Sequence, residues 1–330
     1  ARRRQTEPGE PRVQRSVLWC VVFLASLGLV MVFSATAPLS AGESIPPHFL
    51  RHLGAVLVGG VLALVASRLP VGVWHALALP LWAFVLLLLT VTLFAGVRVN
   101  GAQRWLPILG TGITFQPAEL AKLATVMAVA VVLSRRDGHA PVPISRFGIA
   151  VALAGLPAAL CVFQPDLGNA VLILGLAGLL LFAAGAPLRA LAIPAVLASA
   201  GIAAYSLLNP YAFRRWIGFI EPWATSREQG YQLVQSFVAF GRGGLFGAGL
   251  GDGRQKLFYL PEAHTDFILA VISEELGLIG VRLVLGAFAA LLVGGVRIAL
   301  RCRRRFAMLL SFGMTGLLTV PALVNAAVVM

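Results

Sequence analysis

The stretch YLPEAHTDFILAVISEELG, residues 259–277, gathers ionisable side chains at the start of an otherwise apolar segment. Five of them fall here, in a chain of 330 residues that is only 12% charged: Glu262, His264, Asp266, Glu274 and Glu275. Carboxylates and imidazoles are common general acids and bases in enzymes. A charge at the centre of a bilayer costs about 2.5–3.5 kcal/mol, so charged residues in membrane segments normally face a cavity and mark a function. This stretch is therefore the first candidate for chemistry.

Each of these five residues also has a structural explanation. Asp266 follows Thr265 where a helix should begin, so its carboxylate would suit a helix N-terminus. Glu274 and Glu275 are adjacent and point to different faces, so they do not form one catalytic carboxylate pair. His264 alone is typical of a packed histidine at the membrane interface.

Other charged side chains occur at the boundaries of apolar segments. Glu119 and Lys122 lie at positions i and i+3 of QPAELAKL, so they share a helix face and would also serve as a neutralised structural pair. Asp166 in FQPDLGN would cap the next helix or belong to a site. The remaining charged candidates are Arg104, Arg214, Arg215 and Lys256.

The glycine-rich run GRGGLFGAGLGDG, residues 241–253, resembles a nucleotide-binding loop only in spacing. No strand precedes it, and a βαβ unit does not fit this sequence. We interpret the run as a turn that lets the backbone approach a neighbouring helix or a ligand, with phosphate binding as the less favoured alternative.

The elements that must position these residues are membrane helices. The chain is 59% hydrophobic with a mean hydropathy of +0.89, and a helical span needs about 20 apolar residues. Runs of that kind recur from VLWCVVFLASLGLVMVFSA to the segment after Ala307. We predict an all-α polytopic membrane protein with about nine spans, in which residues 1–15 are a basic cytoplasmic segment and 16–330 a single transmembrane domain.

The formal net charge of +13 orients the chain in the membrane rather than binding nucleic acid. Arginines cluster in alternate connections, and short loops rich in Lys and Arg lie on the cytoplasmic side. The N-terminus is therefore expected in the cytoplasm, and residues 208–265 form a large extracytoplasmic loop between spans 7 and 8. Loops of this length are usually functional, and YQLVQSFVAF within it is a candidate half-helix. The outward charges point to a transporter, an enzyme acting on a lipid-linked substrate, or a scaffold.

Three segments narrow that choice by resemblance. NGAQRWLPILGTGITFQPAELAKL, FQPDLGNAVLI, and the stretch from RRWIGFIEPW through GDGRQKLFYLPEAHTDFILAVISEELG resemble the SEDS family of bacterial cell-wall polymerases, and its cell-division branch more than its elongation branch. The resemblance covers nearly the whole chain from the first span. It implies a ten-span helical fold, with the family pattern continuing past Met330 to its tenth span.

The resemblance implies a peptidoglycan glycosyltransferase that polymerises lipid II at the septum of the bacterial inner membrane. In the family the aspartate of HTDF is required for polymerisation, and Asp266 occupies that position as the expected general base. Arg104, Glu119, Lys122, Asp166 and Glu262 fall in family motifs, and His264 lies beside the base. The resemblance also implies a class B penicillin-binding protein transpeptidase (FtsI-type) as partner, with further divisome proteins of the FtsQ, FtsL and FtsB types.

The reaction expels undecaprenyl diphosphate, so cations are needed where negative charge develops. Arg104, Lys122, Arg214, Arg215 and Lys256 are the candidates, and we expect Asp266 to line a pocket shared with such groups. A divalent cation, Mg²⁺ or Mn²⁺, would serve the same purpose, but no cluster of carboxylates in the sequence marks its site. Two alternatives remain open: a lipid II flippase and a catalytically silent division scaffold.

Overall fold

The computed structural model describes residues 11–40, 45–99, 102–108, 113–135 and 142–330. Most of this part of the chain is helical, as predicted. The helices are α1 (Pro11–Thr36), α2 (Pro47–Arg68), α3 (Val71–Ala95), α4 (Pro117–Ser134), α5 (Ile144–Phe163), α6 (Leu167–Ala183), α7 (Leu188–Leu208), α8 (Pro210–Ile220), α9 (Tyr231–Gly243), α10 (Ile268–Arg301) and α11 (Arg305–Val329). Residues 1–10 of the basic N-terminal segment and 136–141 of the basic loop SRRDGHAPVPISR lie outside the described residues.

Eight helices in the described ranges are long and apolar enough to cross a membrane. The helix α6 is also apolar, but has only 17 residues. The chain is therefore a multi-pass membrane protein of the all-α class. The count of nine spans and the cytoplasmic N-terminus stay predictions.

A small antiparallel sheet occupies the segment between α3 and α4. Its strands are β1 (Val97–Val99), β2 (Ala102–Ile108) and β3 (Ile113–Phe115), in the order β1-β2-β3. The all-α prediction did not include these strands. Two of its strands have only three residues, too short for alternation to be recognised in a sequence.

The described fold divides into two compact units. Among the described residues, the first comprises residues 11–13, Leu69–Ile202 and Leu292–Val320, and the second comprises Gln14–Arg68, Ala203–Leu291 and Pro321–Met330. In the first unit α4 is buried on almost every side, as expected for a helix that is apolar all round. Small residues allow close packing there: a Cβ at Gly313 would meet Val126 and Leu180.

The second unit contains the long connection from Leu208 to Thr265, which is folded rather than irregular. It holds two short helices, α8 and α9, followed by turns over residues 244–267. The predicted half-helix YQLVQSFVAF corresponds to α9, whose 13 residues are too few to span a bilayer. Ser236 of α9 donates to the carbonyl of Val329 at 2.7 Å, so this helix is tied into the unit.

The helix α10 is broken near its start. Gly277 has φ 67° and ψ −167°, which separates Ile268–Leu276 from the rest of the helix. The break frees backbone groups, and the glycine-rich run satisfies them: the amides of Ala248 and Gly249 donate to the carbonyls of Glu274 and Glu275 at 2.8 and 3.1 Å. In return, the amides of Leu278 and Ile279 donate to the carbonyls of Gly244 and Leu245 at 2.9 and 3.3 Å. A broken helix in a membrane protein needs this internal satisfaction.

Two glycines of the run, Gly243 and Gly247, are required by this close approach. Gly247 has φ +84°, and a Cβ there would collide with the carbonyl of Glu275. A Cβ at Gly243 would collide with the carbonyl of Ser273. The interpretation of the run as a turn packed on a neighbouring helix is thus confirmed.

Candidate functional site

Asp266 lies in the turn that leads into α10, here called the acidic turn (residues 257–267). Its side chain is exposed and makes no hydrogen bond or ion pair within the described part of the chain. It does not cap α10 among the described residues, since no backbone amide there donates to its carboxylate and the amide of Ala270 donates to the carbonyl of Phe267 instead, at 3.0 Å. Its backbone carbonyl, in contrast, accepts a 2.7 Å hydrogen bond from the Asn325 amide. The backbone is thus held while the carboxylate is available.

Glu274 is fully buried and fixes the backbone of the loop before the acidic turn. Its oxygens accept hydrogen bonds from the amides of Arg254 and Gln255 at 3.0 and 2.9 Å. Arg242 approaches the same carboxylate at 3.6 Å. With these partners, Glu274 serves the structure of the loop.

Glu275 is the centre of a second buried network. The ammonium of Lys256 lies 2.6 Å from Glu275 Oε1, with side-chain exposures of 4% and 0%. The hydroxyl of Ser34 lies 2.8 Å from both carboxylate oxygens and accepts from Lys256 at 2.7 Å. The amide of Gly251 donates to Oε2 at 3.0 Å. The two adjacent glutamates therefore have different partners, in line with their different faces.

Lys256 was predicted to contact the diphosphate, and the structure gives this side chain another environment. It is buried, and its ammonium is occupied by Glu275 and Ser34. A buried charge of this kind is retained by its pairing. Lys256 is therefore better explained as an internal partner of Glu275 than as a substrate contact.

His264 and Glu262 lie in the acidic turn close to Asp266. The ring of His264 is half-buried and packs against that of His48, with 5.1 Å between centroids. Burial lowers the pKa of His264 below its ordinary value of 6.5, His48 lowers it further, and Glu262 opposes both. Glu262 is exposed, has φ 54° and accepts a 2.9 Å hydrogen bond from Thr265. The lowered pKa favours the neutral form of the His264 ring.

Arg214 and Arg215 lie on α8 in the second unit, and both are exposed. The same helix presents aromatic side chains, and Trp216 donates to Ser206 at 3.1 Å. Arginine suits bidentate contact with phosphate. Their position on the surface of this unit leaves the predicted role in phosphate binding open to test.

The first unit holds a separate polar cluster around the turn FQPDLGN. Asp166 is buried and caps α6, accepting from the amide of Asn169 at 3.3 Å and from its side chain at 2.9 Å. Gln116 also donates to Asp166, at 3.0 Å. Arg104 of β2 donates to the carbonyls of Gln164, at 3.3 Å, and Pro165. The structural explanation of Asp166 as a helix cap is thus confirmed.

Glu119 and Lys122 form the i,i+3 pair that the sequence predicted. Their side chains are 2.8 Å apart on α4, with Lys122 7% exposed and Glu119 58% exposed. The pair therefore consists of a buried cation and a carboxylate that reaches the surface of its unit. This arrangement neutralises Lys122 and leaves one face of Glu119 open.

The residues do not assemble a metal site by themselves. Within the described ranges, no three His, Cys, Asp or Glu side chains come together in a way that could hold a metal ion. The residue set therefore gives no support for a divalent cation held by protein side chains alone.

Several residues with decisive contacts were not identified from the sequence. Ser34, Asn325 and Gln116 all contact a predicted site residue from a distant part of the chain. They are uncharged polar residues in apolar segments, and nothing local distinguishes them from other such residues. Only their distant partners reveal them.

Comparison with known proteins places this arrangement in a family. The sequence profile of the cell cycle protein family FtsW/RodA/SpoVE matches residues 14–330. The chain belongs to this family. Its FtsW/RodA/SpoVE membership agrees with the SEDS resemblance found in the motifs.

The matched relatives and structures cover most of the chain. A protein of Coxiella burnetii named probable peptidoglycan glycosyltransferase FtsW is 39% identical, over 94% of this chain and 85% of the relative. A protein of the same name from Geobacter sp. strain M18 is 38% identical, over 95% and 86%. The crystal structure of Thermus thermophilus rod shape determining protein RodA is 28% identical with a TM-score of 0.66, over 94% and 83%.

A further solved structure comes from a peptidoglycan synthase complex and concerns how polymerization and crosslinking are coordinated. Its matched chain is 28% identical with a TM-score of 0.76, and the match covers 95% of this chain and 86% of that one. This chain therefore shares its fold, over most of its length, with a chain of a peptidoglycan synthase complex.

Proposed function

We propose that this chain is a peptidoglycan glycosyltransferase that polymerises lipid II into glycan strands. Family membership and the names of the curated relatives support the activity. Asp266 is assigned as the general base because the acids within residues 259–277 have different environments. Glu274 and Glu275 are buried and engaged, whereas the Asp266 carboxylate is exposed and unpartnered among the described residues.

In this reaction the 4-hydroxyl of one lipid-linked disaccharide attacks the anomeric carbon of another. The new bond joins the hydroxyl oxygen to that carbon, and the bond from the carbon to the diphosphate oxygen breaks. The bonding electron pair leaves with undecaprenyl diphosphate, and the hydroxyl proton passes to the Asp266 carboxylate. A positioned base contributes about 10²–10⁴-fold to such a step.

The environment of Asp266 supports this role. A general base must be reachable by the substrate, and a carboxylate already capping a helix or paired with a cation is less available to take a proton. The hydrogen bond from Asn325 to the Asp266 carbonyl holds the main chain and leaves the side chain unoccupied. Asp266 is therefore the carboxylate of this stretch best suited to accept a proton from an incoming sugar.

The negative charge on the leaving diphosphate requires cationic groups. We retain Arg214 and Arg215, which are exposed on α8, as proposed contacts. Arg104 and Lys122 in the first unit stay candidates with Glu119 and Asp166, while Glu262 and His264 stay candidates beside the proposed base. A divalent cation, Mg²⁺ or Mn²⁺, stays part of the proposal, and its coordination would need groups other than a cluster of described His, Cys, Asp or Glu side chains.

The partner and the place of action follow from the family rather than from the site. One matched structure belongs to a peptidoglycan synthase complex of polymerization and crosslinking, which supports a class B penicillin-binding protein as partner. The FtsW names of the relatives support action at the division septum. Both assignments, together with the FtsQ-, FtsL- and FtsB-type partners, are part of the proposal.

The test is polymerisation of lipid II by the protein co-purified with its transpeptidase partner. Asp266→Asn should lower the rate by about 10²–10⁴-fold, because it removes the base and keeps the size of the side chain. Glu221→Gln is the matched control, since it removes an exposed acid elsewhere in the same unit. Long glycan strands at an undiminished rate from Asp266→Asn would refute the base assignment.

The two alternatives make different predictions. A lipid II flippase would move labelled lipid II across proteoliposomes without forming polymer. A silent scaffold would let Asp266→Asn support division in a strain depleted of the natural protein. Polymer formation that depends on Asp266 contradicts both.

A further inference from the structure

We propose that the buried network around Glu275 is a positioning device for Asp266, and that Lys256 and Glu275 are positioning residues of the polymerase. The network, here called the clamp, consists of Ser34, Gly251, Lys256, Glu274 and Glu275. The proposal rests on the proposed function, because it assigns these residues to the reaction that Asp266 is proposed to catalyse.

The first argument is where the clamp holds the chain. Lys256 lies ten positions before Asp266, and Glu275 lies nine positions after it. Their 2.6 Å ion pair therefore joins the two sides of the segment near whose middle Asp266 stands. A break of this bond would release both sides at once.

The second argument is that the first half of α10, Ile268–Leu276, also fixes the backbone that leads into the acidic turn. Glu274 accepts from the amides of Arg254 and Gln255, and Glu275 accepts from that of Gly251. These bonds stop at Gln255, one residue before Lys256. The clamp thus determines where the acidic turn begins, while the first half of α10 determines where it ends.

The acidic turn packs into its unit through the buried side chains of Leu260, Ala263 and Phe267, but it has few hydrogen bonds to other elements. Its backbone bonds are local, such as those from Leu260 to Gln255 at 2.8 Å and from Thr265 to Glu262 at 3.1 Å. The hydrogen bond from Asn325 to the carbonyl of Asp266 joins it to a distant element. The packing of the turn thus supports its middle, while the clamp secures its two ends, and we assign the clamp a share in placing the Asp266 carboxylate.

Ser34 ties the clamp to a different helix. Its hydroxyl on α1 lies within 2.8 Å of both Glu275 oxygens and within 2.7 Å of the Lys256 ammonium. The Ser34 hydroxyl is thus a third group that holds the ion pair in place. Three groups from distant parts of the sequence then define one position, as positioning of a reactive group requires.

The energetics separate this role from simple stabilisation. Removal of one partner of a buried ion pair is strongly destabilising, whereas replacement of both partners by apolar residues is often neutral or stabilising. A neutral pair that still offers an acceptor to the Gly251 amide and the Ser34 hydroxyl would therefore restore much of the stability but not the ion pair. Because a misplacement of about 1 Å can cost about 100-fold in rate, the two effects are separable by experiment.

The experiment compares Lys256→Met with the double variant Lys256→Met/Glu275→Gln, each co-purified with the transpeptidase partner. Thermal stability, kcat and KM for lipid II, and hydrogen exchange of the peptide covering residues 257–267 are measured for both. Lys256→Met should lose stability. The double variant should recover most of it, while kcat stays about 10–100-fold below the unsubstituted protein with KM little changed and the peptide exchanges faster in both variants.

Two results would overturn the proposal. Recovery of kcat together with stability in the double variant would make the clamp structural only. A raised KM with an unchanged kcat would make Lys256 a substrate contact, as the sequence first predicted. If Lys256→Met does not fold, the double variant and Ser34→Ala carry the same comparison.

An Asp266→Asn arm keeps this test distinct from that of the proposed function. If Asp266→Asn still polymerises lipid II, the base assignment fails whatever the clamp variants do. If Asp266→Asn is inactive and the double variant is fully active, the clamp proposal fails and the base assignment stands.

Discussion

The acidic turn and the broken start of α10 are neighbours in sequence and opposite in environment. In the turn, Asp266 has an exposed carboxylate with no partner among the described residues. At the break, Glu274 and Glu275 are buried, and their oxygens accept hydrogen bonds from the preceding loop. One stretch of sequence thus combines an acid that can react with acids that hold the backbone.

This difference shows that the few acidic side chains of a membrane protein can either hold the backbone or remain accessible for a reaction. A carboxylate is costly in an apolar environment unless hydrogen bonds compensate it. Glu274 and Glu275 meet that requirement through backbone amides and Lys256, so they are stable inside the unit. Asp266 avoids the cost of burial because its carboxylate is exposed, and the same exposure makes the carboxylate accessible to substrate.

The comparison predicts that loss of Glu274 destabilises the protein more than loss of an exposed acid. Glu274→Leu leaves the amides of Arg254 and Gln255 without their acceptor, at about 1–3 kcal/mol for each unsatisfied group. Thermal unfolding in detergent should show the decrease. Glu228→Leu, at an exposed acid of the same unit, is the control, and an equal effect of the two changes would contradict the assigned role.

A smaller effect is expected from the glycine that lets the loop approach these glutamates. Gly247→Ala forces a side chain into φ +84° and against the carbonyl of Glu275. Strain of this kind costs about 1–3 kcal/mol. Gly241→Ala is the matched control, because Gly241 lies on α9 with open space at its Cβ position. Unchanged stability of Gly247→Ala would show that the loop can move away from the break without cost.

The sequence predicted the features that depend on local pattern. Long apolar runs identified the spanning helices, because length and composition decide whether a segment can cross a bilayer. The i,i+3 spacing of Glu119 and Lys122 predicted their ion pair, and the position of Asp166 predicted its cap. The half-helix α9 was likewise visible as a short apolar segment.

The sequence did not predict features that depend on distant partners. The break at Gly277 lies in a run that reads as one continuous helix, and the glycine-rich segment that satisfies it is about 30 residues away. The burial of Lys256 depends on Ser34, a residue of α1. Lys256 was predicted to contact phosphate because of its charge, whereas in the structure it forms an internal ion pair with Glu275.

The smallest predicted effect concerns pH and sharpens the description of the acidic turn. Burial and His48 lower the pKa of His264 below 6.5 in the folded protein, so the stability due to the neutral ring is fully present above about pH 6.5 and lost as the pH falls through the folded pKa. The melting temperature should therefore fall between about pH 7.5 and about pH 5.5, and the fall should be smaller in His264→Gln. His48→Gln keeps the burial of His264 but removes the neighbouring imidazole, so an intermediate dependence is expected. An identical dependence in all three proteins would mean that protonation of His264 does not disturb the turn.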